Sequence, residues 1–221
     1  MLNLVSKTGP NWLISENFWR KHATLLDDWS SGFPVYCRFK SQFGFRDMYQ
    51  LQVKRWLIAL RFHPRDGWKV TVDIDAMERG NGGQHPPEKK AIAAECEAWL
   101  REQGVKIVAH PLYGRADLVA EHDQHGTYVI EVEGKSSRQR EQAMYSAVGQ
   151  IVLSMGSPAP AIRYAVAVPD DDRWEKQLKK IPARVFSLLN LELFLVSESS
   201  VRNIGAEQAV QPERREDAAP G

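Results

Sequence analysis

An α/β fold, with a mixed sheet flanked by helices, is predicted by three features of this sequence. Beyond residue 87, segments of helical periodicity alternate with short strand-like segments. Residues 162–168 form an almost unbroken apolar run, the mark of a strand buried on both faces. The Gly-, Asn- and Pro-rich stretch 80–87 can continue neither helix nor strand, and it separates an N-terminal module (1–80) from a core (87–200).

The 221 residues suffice for one large domain or a core with a small appendage, and 43% hydrophobic content with seven Trp and eight Phe excludes a disordered chain. No window approaches the ~18 consecutive apolar residues of a membrane span, so no membrane partner is expected. The first ten residues carry neither the basic nor the apolar region of a signal peptide. Cys37 and Cys96 stand in unrelated contexts, which excludes a disulfide scaffold and a cysteine zinc cluster. A cytoplasmic location is the expectation. The net charge of +1 neither supports nor excludes a nucleic-acid partner, because distribution matters more than the sum.

In chain order, Ser15 caps a helix over 15–29, and extended stretches follow at 35–39, 48–62 and 68–74. The last two flank His63-Pro64-Arg65-Asp66-Gly67, a turn signal that predicts a β-hairpin. The N-terminal module therefore reads as a helix plus β-hairpin. In the core, a helix over 87–103 has Pro in its first turn and Gly104 as its stop. Three strands at 105–109, 115–120 and 127–133 come next, then a long helix over 137–155 closed by Gly156. The buried strand 162–168, a short helix over 173–180 and a strand over 191–196 complete the core. Residues 201–221, rich in Glu, Arg, Ala and Pro, read as a mobile tail.

The chemistry gathers on two strands. Asp117 stands just before the apolar run Leu118-Val119-Ala120, and Glu131 and Glu133 end the run Tyr128-Val129-Ile130. Side chains alternate along a strand, so Glu131 and Glu133 share one face. Neighbouring carboxylates repel and resist desolvation unless solvated or joined by a cation. A hard cation such as Mg²⁺ takes oxygen ligands and keeps several waters, which one Asp and one or two Glu on adjacent strands can supply.

The order helix-strand-strand-strand-helix-strand, with Asp opening the second strand and a Glu-x-Lys-like run closing the third, resembles the PD-(D/E)XK, or restriction-endonuclease-like, nuclease superfamily. The resemblance covers residues 88–196. It implies a restriction-endonuclease-like core in which the Asp and Glu hold Mg²⁺, with Mn²⁺ as its substitute, and the Lys positions or deprotonates the attacking water. Asp117 matches the metal-binding Asp. The third-strand motif fits in two frames, Glu131-Val132-Glu133 with Glu133 in the Lys slot, or Glu133-Gly134-Lys135. Either way Asp117, Glu131 and Glu133 are the candidate metal ligands, and Lys135 is the candidate cation. Glu95 or Glu88 matches a first-helix Glu, and Gln150 or Gln142 a second-helix Gln. Arg138 and Arg140, at the start of that helix, are candidates for holding backbone phosphates.

The implied function is a metal-dependent DNA endonuclease that hydrolyses phosphodiester bonds. Restriction, phage defence and repair all use such a core. The implied partner is DNA, and a homodimer is compatible with the resemblance. The alternative is a catalytically degenerate nuclease-like domain that binds nucleic acid or a protein partner, which Glu133 in the Lys slot would favour.

Overall fold

Leu51, Lys54, Leu57 and Ile58 recur at helical spacing and are all buried, which makes Gln50–Arg61 the first helix, α1. The computed structural model describes residues 48–81, 85–135, 139–156 and 162–204. The expected helix over 15–29, the strand over 35–39 and the tail from 205 onward lie outside them, as does Arg138. The described residues all lie in one compact unit.

Helix α1 corrects the expectation of an extended stretch over 48–62. Lys54 interrupts the apolar stripe in the sequence, yet it faces inward with its neighbours. The expected hairpin is likewise absent. Residues Pro64–Asp66 form a single 3₁₀ turn, and Gly67, at φ 92°, completes the link from α1 into strand β1 (Lys69–Val72). Then follow α2 (Pro87–Glu102), β2 (Lys106–Ile107), β3 (Leu118–His122) and β4 (Gly126–Val132). Helix α3 (Arg140–Ser154), β5 (Ile162–Pro169), α4 (Asp172–Leu178) and α5 (Ala183–Leu189) lead to β6 (Leu191–Val196) and β7 (Val201–Asn203). Strand β7 takes the place expected for the start of the tail, because Ile204 is buried and Val201 packs on the core.

The seven strands form one mixed sheet in the order β2-β1-β3-β4-β5-β6-β7. Strand β1 runs antiparallel to β3, β3 antiparallel to β4, and β4, β5 and β6 are parallel. The short β2 pairs with the outer side of β1, so the strand beside β3 comes from the segment expected to belong to the N-terminal module. Helices α1 and α2 cover one face through Leu57, Ile58, Cys96 and Leu100 on Ile130, Val132, Ala165 and Ala167. Helices α3, α4 and α5 cover the other through Ala147, Ile151, Trp174 and Phe186 on Val166, Val168, Leu193 and Leu195. The alternation of β5 between the two clusters accounts for the apolar run from Ala165 to Val168. Among the described residues no helix is long and apolar enough to cross a membrane.

The N-terminus of α1 presses directly on the chain leaving β4. A Cβ built on Gly134 would collide with the backbone nitrogen of Gln50 and lie 2.7 Å from its Cα. Both obstacles are backbone, so only a shift of the helix could relieve the clash. Gly134→Ala is expected to destabilise the fold by about 1–3 kcal/mol, the usual range for overpacking. Chemical denaturation of the two proteins measures it, and an unchanged midpoint would disprove the close approach.

Candidate functional site

The site begins with strand register. Leu118 of β3 faces Ile130 of β4, and that antiparallel register, carried one residue outward, sets Asp117 opposite Glu131. The Val132 N–H donates to Asp117 Oδ2 at 2.9 Å, tying the carboxylate to the end of β4. The Asp117 charge is close enough to raise the Glu131 pKa.

Helix α1 supplies the groups that meet them. Gln50 Nε2 donates to both oxygens of Asp117, at 3.1 and 3.2 Å. One turn further on, Lys54 Nζ lies 2.8 Å from Asp117 Oδ1. The same ammonium donates to Glu78 Oε1 at 2.8 Å and to the Asp73 carbonyl at 2.6 Å. Glu78 belongs to the turn after β1, where its own N–H donates to Asp75 Oδ1 at 2.7 Å. Spacing of four on one helix puts Gln50 and Lys54 on the same face, which is why both reach Asp117.

Burial makes these charges consequential. Lys54 has no exposed surface, and Glu131 keeps 3% of its own. Burial acting alone would lower the Lys54 pKa, but the charges of Asp117 and Glu78 outweigh it and hold the ammonium above its usual value. Burial, then the neighbouring Asp117, pushes the Glu131 carboxyl up to about 9. Burial also pushes Glu78 up to about 7, against the opposing pull of Lys54.

Glu133 is half-buried, and its charge adds to those that raise Glu131, while its N–H donates to Ala167 O at 2.9 Å. Lys135 points elsewhere: its ammonium sits over the Tyr49 ring, 5.5 Å from the centroid. Glu88 accepts from the Tyr49 hydroxyl at 3.4 Å, and Glu95 pairs with Arg55 at 2.8 Å with 70% of its side chain exposed. Gln150 and Gln142 are exposed on α3, whose buried face is Ala143, Met144, Ala147 and Ile151. Arg140 lies over the Trp174 ring, 5.8 Å from its centroid. The structure thus brings Asp117 and Glu131 together and adds Gln50, Lys54 and Glu78. The one local signal for those additions is a lysine within the apolar stripe of α1.

The donor set suits a small hard cation. Such an ion accepts one or two carboxylates and fills its remaining positions with water and phosphate oxygens. Asp117 and Glu131 offer that pair. Among the described residues no group of three or more His, Cys, Asp or Glu side chains is placed to hold a metal ion.

No family model, curated protein or solved structure matches this chain.

The raised acids set a pH dependence. A carboxyl that binds its proton more tightly when folded stabilises the fold fully below its unfolded pKa and loses that contribution as pH rises through the folded value. Without divalent cation, the melting temperature is expected to fall between pH 5 and 9, the window set by Glu131 moving from 4.5 to about 9. Glu131→Gln should flatten that fall. Equal slopes in melting curves of the two proteins would contradict the buried acid.

Proposed function

We propose that this chain is a metal-dependent DNA endonuclease with a restriction-endonuclease-like core, hydrolysing phosphodiester bonds at Asp117 and Glu131. The observation that carries the reading is the meeting of these two carboxyls across the β3–β4 pair beside a buried lysine. The order of elements supports it. From α1 onward, α1, β1, β3, β4, α3 and β5 give helix-strand-strand-strand-helix-strand, with α2 and β2 inserted after β1. The first helix of that core is α1 rather than the helix over 87–103, so the helix residue beside the acids is Gln50 rather than Glu95.

Asp117 and Glu131 would hold the divalent ion, Mg²⁺ or Mn²⁺. When bound, that ion supplies Lewis-acid charge at the scissile phosphate and acidifies water. The chain's own residues prepare its place. The Val132 N–H, the Gln50 amide and the buried Lys54 ammonium together aim the Asp117 carboxylate. A carboxylate aimed in advance needs no rearrangement when it takes up the ion.

A second reading has its own support. Asp117 already receives Gln50, Lys54 and Val132, and no third carboxylate joins the pair among the described residues. A nuclease-like domain that binds nucleic acid without cutting would keep this arrangement as an internal salt bridge.

Plasmid cleavage with Mg²⁺, Mn²⁺ or EDTA separates the two. The nuclease reading predicts metal-dependent cutting that falls by at least about a hundredfold in Asp117→Ala and in Glu131→Ala, each tested for an unchanged far-ultraviolet circular dichroism spectrum. DNA retained in a low-salt shift assay without cutting would favour the binder.

A further inference from the structure

Lys54 raises a question of role. A lysine ammonium has three N–H bonds and no lone pair. Two hydrogen bonds leave it, to the Asp73 carbonyl at 2.6 Å and to Glu78 Oε1 at 2.8 Å, and Asp117 Oδ1 lies 2.8 Å away as its ion-pair partner. None of the residue is exposed, so neither water nor a phosphate can reach it. Lys135, the lysine in the motif itself, lies over the Tyr49 ring.

We propose that Lys54 is a positioning residue, one that fixes the Asp117 carboxylate for metal binding, and that Glu78 acts through Lys54 by fixing the ammonium. This rests on the metal-site reading of Asp117 and Glu131 and deepens it, because it assigns the site's lysine to the metal ligand rather than to the attacking water. The three partners come from three separate places, the end of β1, the turn after it and the start of β3. A flexible ammonium acquires one orientation only when its environment dictates it, and here two hydrogen bonds and an ion pair hold it from three sides. Glu78 is itself held by Asp75, and its second oxygen is buried with no hydrogen-bond partner among the described residues, so its one bonded oxygen is committed to Lys54 and the backbone of Asp75.

The role predicts a distinctive kinetic and binding pattern. Loss of a residue that orients a metal ligand typically weakens metal binding about 10–100-fold. A lysine that acted on water would leave metal affinity alone and reduce the rate at saturating metal. Mn²⁺ binding followed by its electron paramagnetic resonance signal gives a readout that does not depend on cleavage. In Lys54→Met the Mn²⁺ dissociation constant should rise about 10–100-fold, while cleavage at saturating Mn²⁺ returns to within about threefold of the parent. Glu78→Gln keeps an oxygen acceptor for Lys54 and should give a smaller rise, about threefold, and it carries the test if Lys54→Met does not fold. In the double variant, Glu78→Gln should add nothing to Lys54→Met, since residues acting through one another are not additive.

Unchanged Mn²⁺ affinity in both folded variants would overturn the proposal, as would a lost rate at saturating Mn²⁺ or additive effects in the double variant. The failure of the parent reading looks different. If the protein binds Mn²⁺ through Asp117 but cuts no DNA, the nuclease reading falls, and the shift in Mn²⁺ affinity still decides the role of Lys54. If the unaltered protein binds no Mn²⁺, both fall together.

Discussion

One buried ammonium joins three parts of this fold that are far apart in sequence. Lys54 enters from α1, Asp73 and Glu78 from the end of β1 and its turn, and Asp117 from the start of β3. An unpaired charge in that position would be costly, and removing one partner of a buried ion pair typically destabilises a protein by about 3–5 kcal/mol. The arrangement therefore holds only when helix, turn and strand all sit correctly. Gly134 makes the same demand from the other side, since only a residue without a side chain lets α1 approach the end of β4. The two constraints bring Gln50 and Lys54 to the carboxyls of Asp117 and Glu131.

Such a centre is electrostatically unbalanced. Two acids share a space with one lysine, while Glu78 competes for the same ammonium. With no cation, burial first and the neighbouring Asp117 charge second favour a proton on Glu131, and its carboxyl is pushed up to about 9. A divalent ion would relieve the repulsion between the two acids. Perturbed groups gathered by burial and a specific charge partner mark functional sites more often than chance.

Much of the architecture could be read from local pattern. Helices α2 and α3, and strands β4, β5 and β6, follow from periodicity, proline and glycine punctuation and apolar runs. Asp117 and Glu131 were legible for a related reason: each sits at the edge of an apolar strand, and neighbouring strands in sequence paired in space. Helix α1 was not legible, because the lysine inside its stripe looks like a break in the pattern unless a partner for it is known. That partner lies in other elements. Gln50 and Asp117 are 67 residues apart, and no local signal links them. Glu95 was a reasonable expectation on a helix of the right type, but β1 rather than β2 lies beside β3, so the helix preceding β1 reaches the acids. Lys135 was similarly placed by spacing alone, whereas the chain turns after Gly134 and carries it to Tyr49.

The account turns on whether Asp117 and Glu131 share a cation. Crystals soaked in Mn²⁺ and measured at a wavelength where manganese scatters anomalously would locate the ion directly. The expected result is an anomalous peak at oxygen-ligand distance, about 2.0–2.3 Å, from carboxylate oxygens of both residues. A peak bound elsewhere, or none beside this pair at saturating Mn²⁺, would contradict the account and leave the cluster as an internal salt bridge.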